Sequence, residues 1–225
     1  VERGKLDAIG KGVRRPKSSV GGRLEFLTEA TLLLHRGRNL DVISSVQTVR
    51  THWTDLVEPE RFAAASLVAE IVDAFCELDL PMPEVYALLT GVVAAIASAT
   101  EPAALVPRFE LRLLDALGLA PPSDVCARCF APFGPHGAWI DAEAGGLGCE
   151  RCCGGGGESD HLDTADVENF RAVGAPRGGA VRPATIATPR TARAIDALVI
   201  HHLGKRPKAR ALVLGGFAVF PTTTL

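Results

Sequence analysis

Cys126-x-x-Cys129, then nineteen residues, then Cys149-x-x-Cys152 is the feature that most narrows what this chain can fold into. Two Cys-x-x-Cys turns can aim four sulfurs at the corners of one tetrahedron, and this spacing reads as a zinc site. Between the turns, Gly134-Pro135-His136-Gly137 and Gly145-Gly146 flank the apolar piece Ala138-Trp139-Ile140, which predicts a small hairpin. Such a segment cannot bury a core of its own, so one zinc ion is expected to take the core's place. A closed shell of four thiolates leaves no position for water or substrate, so the expected role is structural. Two disulfides are the alternative. No stretch reads as a secretory signal and five cysteines share one short segment, which favours metal in a reducing cytosol. Cys153 adjoins Cys152 and could compete as fourth ligand, although the two-residue spacer from Cys149 favours Cys152. Cys76, on an apolar helix face, reads as a core thiol.

With 225 residues, 47% of them apolar, the chain can hold one large domain or two to three small ones. Its longest uncharged stretch, Val85 to Thr100, is too short and too rich in Ala, Ser and Thr to span a bilayer, so no membrane partner is expected. The net charge of -2 hides a partition. Residues 1–50 carry ten Lys or Arg against five Asp or Glu, residues 51–175 carry six against twenty, and residues 176–225 carry eight against one. Basic ends around an acidic middle point to a polyanion partner.

Short strands are predicted at Leu6 to Ile9, Leu24 to Leu34 and Leu40 to Val49, with a turn at Arg36-Gly37-Arg38-Asn39, as part of a small antiparallel barrel. Pro59 then opens a run in which Val68, Ile71, Val72, Phe75 and Leu78 recur at helical spacing. Val85, Leu88, Leu89, Val92, Val93 and Ile96 repeat the pattern, as do Val106, Phe109, Leu113, Leu114 and Leu117, which predicts a three-helix bundle. Glu70, Asp73, Glu77 and Asp79 are expected on its solvated face. After Gly154 to Gly157, a short helix is predicted over Asp163 to Ala172. A last helix is capped by Thr188, has Pro189 in its first turn, lines one face with Ile195, Leu198, Val199, His202 and Leu203, and stops at Gly204.

Gly4-Lys5, then Ala8-Ile9-Gly10-Lys11-Gly12-Val13-Arg14-Arg15-Pro16-Lys17-Ser18 and Gly21-Gly22-Arg23-Leu24, resembles the start of the bacterial RecO recombination-mediator proteins. Phe109-Glu110-Leu111-Arg112-Leu113-Leu114, followed by Leu117-Gly118 and the first cysteine pair, resembles that family's helix entering its zinc module. The Leu203-Gly204-Lys205 region is similar to its C-terminal stretch. The resemblance implies an α+β multidomain protein with an OB-fold over 1–55, a helical domain over 56–124, a zinc knuckle over 125–157, and a C-terminal helical segment over 158–225 completing the helical domain. It also implies a cytoplasmic, nucleoid-associated DNA-repair protein. Such a protein binds single- and double-stranded DNA, anneals strands, and works with RecR and single-strand-binding protein to load RecA. An apolar groove with nearby cations would receive the acidic tail of single-strand-binding protein. Two departures stand out: the first one or two barrel strands of the family pattern are expected to precede Val1, and Gly215 to Phe220 does not match it.

Annealing needs no nucleophile; it needs cations on phosphates and base edges left free. The candidate DNA-binding residues are Lys5, Lys11, Arg14, Arg15, Lys17, Arg23, Arg36 and Arg38, with Lys205, Arg206 and Lys208 near the C-terminus; Arg210 shares the last cluster. Phe26 is the only Phe, Tyr or Trp before residue 51, so binding should rest on charge more than on base stacking. A zinc-knuckle transcription or ribosome-associated factor is the rival reading. The chain carries no HExxH, GxSxG or GxxxxGK[ST] pattern, and the face of the last helix accounts for His202 better than a site with His201 and Asp196 does.

Overall fold

The computed structural model describes residues 2–11, 13, 20–38, 40–155, 157–175 and 185–214. Arg14, Arg15, Lys17 and the tail from Gly215 lie outside them. The chain divides into two compact units, 1–103 with 208–225, and 104–207.

In the first unit, β1 (Ala8–Gly10), β2 (Glu29–His35) and β3 (Asp41–Arg50) form a sheet of order β1-β3-β2. β2 and β3 pair antiparallel across the Arg36 to Leu40 turn, as the alternating pattern predicts. Two features differ from the expected antiparallel barrel. β1 runs parallel to β3, with Ala8 opposite Asp41, and the three strands leave β1 and β2 as edges, so the described sheet is open. β2 also starts later than Leu24. Thr28 N–H closes a turn on the Glu25 carbonyl at 3.1 Å and Leu27 takes a left-handed φ of 56°, neither of which a strand tolerates.

α1 (Pro59–Phe75) and α2 (Pro83–Ser98) each begin with proline in the first turn, where its missing N–H costs nothing. α1 buries Ala63, Ala64, Leu67, Val68 and Ile71, its small residues letting α2 approach closely. The helix stops at Phe75 because Cys76 is extended and Asp79 is left-handed, so Leu78 falls outside it and is 55% exposed.

The second unit contains α3 (Val106–Ala116), β4 (Ala138–Asp141), β5 (Gly146–Gly148), α4 (Glu150–Cys153), β6 (His161–Leu162), α5 (Thr164–Gly174) and α6 (Pro189–Leu203). α3 packs on α5 and α6, with Phe109, Leu113, Leu114, Phe170, Ile195 and Leu198 in the core. The expected three-helix bundle therefore gives way to two groupings, α1 with α2 and α3 with α5 and α6. Periodicity shows that each helix has an apolar face, but not which helix meets it. Caps match their residues: Asp163 accepts the Asp166 N–H at 2.8 Å, Thr188 accepts that of Thr191 at 3.2 Å, and Gly204 ends α6 at φ 65°. His202 is half-buried at the core edge, where desolvation first and neighbouring His201 second hold its pKa below the ordinary imidazole value.

A short α7 (Arg210–Leu214) returns to the first unit and packs on α1. Glu70 of α1 caps it, accepting the Lys208 and Ala209 N–H groups at 2.8 Å each. Asp73 and Asp79 pair with Lys5 and Arg3 while staying about 70% exposed, so they and Glu77 lie on the solvated surface as expected, and Glu70 alone is drawn into a structural role.

Candidate metal centre and basic surface

The predicted hairpin forms. β4 pairs with β5, Trp139 opposite Gly148, and on its other side with β6, which the sequence pattern did not reveal. A cysteine turn hangs from each end. In the first, the Phe130 N–H reaches the Cys126 carbonyl at 2.9 Å and the Cys126 N–H the Ala131 carbonyl at 2.8 Å, while the Ala127 N–H ties the turn to Leu147 of β5 at 2.8 Å. In the second, the Cys152 and Cys153 N–H groups return to the Cys149 carbonyl at 3.0 and 2.9 Å.

These turns bring the Sγ atoms of Cys126, Cys129, Cys149 and Cys152 within 4.8 Å of one another, the four the spacing selects. Cys129 and Cys149 are 3.7 Å apart. A tetrahedral zinc with Zn–S bonds of about 2.3 Å sets sulfur–sulfur edges of about 3.8 Å. All six cysteines are free thiols, so two disulfides are not what joins the turns.

The turns also prepare the sulfurs electrically. Burial alone would raise Cys126, but the N–H groups of Cys129, Cys149 and Arg128 outweigh it and hold the thiol below its ordinary value. The Ala131 N–H and the Arg151 guanidinium pull Cys129 down to about 6. Cys152, hydrogen-bonded to Cys129 and partly desolvated, is pushed up to about 12.

Cys153 faces elsewhere. Its Sγ lies 3.1 Å from Asp141 Oδ2, and burial first, then that carboxylate, push the thiol up to about 11. Arg128 grips the same carboxylate with two N–H groups, Nη2 to Oδ1 at 2.9 Å and Nε to Oδ2. Arg128, Asp141 and Cys153 are each visible in the sequence, but nothing in their spacing says that they meet.

The candidate DNA-binding cations divide sharply. Lys5 pairs with Asp73 at 2.8 Å, Arg206 lies 3.6 Å from Asp196, and Arg23 donates to the Val46 carbonyl at 3.1 Å. Arg36 and Arg38 stand exposed on the β2–β3 turn without a hydrogen bond or ion pair among the described residues. They rim a depression of about 240 Å³ that also holds Arg3, Asp7, Asp41 and Asp79. Arg3 pairs with Asp41 at 2.6 Å and Asp79 at 3.3 Å, so three arginines and three carboxylates share the depression, and Arg36 and Arg38 make no ion pair among the described residues. Lys11, Lys205 and Lys208 are exposed. Phe26 packs on Phe62 with ring centroids 5.6 Å apart, so the lone early aromatic is already engaged. A separate apolar cleft of about 370 Å³, lined by Val72, Cys76, Met82, Val85 and Leu89, has Lys5 as its cation, and Asp73 already neutralises that charge. It is a poor match for an acidic tail. Cys76, partly buried at this cleft, is not a deep core thiol.

Small sheets, two helical groupings and a cluster of four cysteines close enough to hold a metal ion define an α+β protein of several parts, and no described helix is long and apolar enough to cross a membrane. Residues 1–52 match the family profile described as Recombination protein O N terminal, and residues 57–211 match Recombination protein O C terminal. The chain belongs to the RecO family, which places it among DNA repair and recombination proteins.

Proposed function

We propose that this protein is a non-enzymatic recombination mediator that binds DNA through phosphate contacts, brings complementary strands together, and acts with RecR and single-strand-binding protein in loading RecA in the bacterial cytoplasm. The observation that carries the reading is the pair of exposed arginines, Arg36 and Arg38, without an ion pair or hydrogen bond among the described residues, at the tip of a hairpin in the Recombination protein O N-terminal region. We read that sheet as part of an OB-type barrel that carries Lys11; Arg14, Arg15 and Lys17, which lie outside the described residues, are candidate phosphate contacts by their charge, as are Lys205 and Lys208. Phosphate neutralisation lets two strands approach, and few aromatics leave the bases free to pair.

Zinc is the ion we assign to the four thiolates. The 3.7 Å sulfur separation and an all-sulfur donor set suit it, and a closed shell would staple the hairpin without chemistry. Cys126 and Cys129 would hold the ion from one turn and Cys149 and Cys152 from the other.

The test is annealing of complementary labelled oligonucleotides, followed by energy transfer at low and moderate salt. Acceleration by the wild type, lost in Arg36→Glu/Arg38→Glu and retained at about the wild-type rate after zinc-depleting Cys126→Ser if the remainder stays folded, supports the reading. No acceleration at any salt concentration sinks it.

A further inference from the structure

We propose that the Arg128–Asp141 ion pair is a clasp that positions the two cysteine turns around the metal, which makes both residues positioning residues of the centre. The inference rests on the metal reading above and extends it to residues that ligate nothing.

Asp141 ends β4, and its carboxylate touches three parts of the module. Arg128, which sits inside the first cysteine turn between Cys126 and Cys129, holds both oxygens. The Ala144 N–H donates to Oδ1 at 3.2 Å and shapes the hairpin turn. The thiol of Cys153, the residue after Cys152, reaches Oδ2 at 3.1 Å. One carboxylate thus spans the first turn, the hairpin and the second turn. Its side chain is 5% exposed against 46% for Arg128, so the pair is a buried acceptor gripped by a half-exposed fork, a geometry suited to bidentate guanidinium. Glu143, 84% exposed and 3.5 Å from Arg128, adds little to it.

A second observation shows that the arrangement is tightly built. A Cβ on Gly148 would lie 2.2 Å from Cys153 Sγ and 3.4 Å from Asp141 Oδ2, so the β5 backbone lies against this cluster and a larger residue would displace the Cys153 thiol. Cys153 is held on the carboxylate and away from the four-sulfur cluster. Groups that orient metal ligands from the outside commonly change affinity by about 10–100-fold when lost. The clasp acts before metal arrives, because none of its contacts includes a ligand sulfur.

The experiment uses the full chain loaded with zinc, challenged with excess chromogenic chelator, in wild type, Asp141→Asn, Arg128→Gln and Arg128→Lys. Asp141→Asn and Arg128→Gln are expected to release zinc about tenfold faster, and Arg128→Lys to recover part of the loss. The cobalt-substituted Asp141→Asn protein should keep a tetrahedral thiolate spectrum, showing that four ligands still bind while retention fails. If Asp141→Asn does not fold, Arg128→Gln, at a half-exposed position, carries the test. Release at the wild-type rate from Arg128→Gln overturns the clasp and leaves the metal reading standing. A wild-type chain that retains no zinc after purification and reloading removes both.

Discussion

Replacing Arg36 and Arg38 with alanine isolates the electrostatic part of DNA binding, because no described contact of the fold depends on either side chain. If about five phosphates are neutralised in the wild type, log K should fall against log salt with a slope of about -3.5 on single strands and about -4.5 on duplex. Losing two contacts moves these slopes to about -2.1 and -2.7. At 0.1 M salt each contact supplies about 0.7 decade on single strands and about 0.9 on duplex, so the double variant should bind roughly 25-fold and roughly 60-fold more weakly. Near 0.5 M the single-strand deficit should shrink to less than about threefold. Fluorescence anisotropy with oligonucleotides of several sequences, titrated across this salt range, reads both quantities. Lys5→Ala is the internal control: Lys5 is bound to Asp73, so its loss should leave the slope within error of wild type. A deficit that is independent of salt, or that differs between sequences, would refute phosphate neutralisation as the role of this hairpin tip. A Lys5→Ala slope as flat as that of the arginine variant would show that ion pairing within the fold does not decide which cations reach DNA.

Gly137→Ala should destabilise the second unit by about 3 kcal/mol, since alanine at a left-handed φ costs roughly 1–2 kcal/mol and its Cβ would meet the Leu162 carbonyl oxygen. That contact would be 2.1 Å, at the Ala138–Leu162 pairing of β4 with β6. Gly91→Ala, inside α2 with nothing near its added carbon, should instead stabilise slightly, and melting curves that rank the two the other way would contradict the packing described. Desolvation holds His202 below its ordinary value of about 6.5, so the unfolded chain takes up the proton first. The stability this residue contributes is whole above that pH, falls as pH drops toward its folded value, and then levels off. His202→Gln should remove that step from a plot of melting temperature against pH, and an unchanged step would place the titration elsewhere.

What the residues announced without coordinates is whatever depends on neighbours close in the chain. Cys-x-x-Cys turns carry their own geometry, so the four ligand candidates were legible, as were the Thr188 cap and the Gly204 stop, whose hydrogen bonds close within a few positions. The antiparallel β2–β3 hairpin was legible for the same reason, its partners meeting across one turn. The tertiary structure decided which charges are free. Lys5 meets Asp73 across 68 positions and Arg3 meets Asp79 across 76, while Arg36 and Arg38, which share a depression with Asp7 and Asp41, form no ion pair among the described residues. It decided likewise that β1 lies parallel to β3, that α3 joins α5 and α6, and that Arg128, Asp141 and Cys153 share one carboxylate. Charge and apolar periodicity state only what a side chain can offer. Its partner is chosen by the packing of segments far apart in the chain, and that choice exists only in three dimensions.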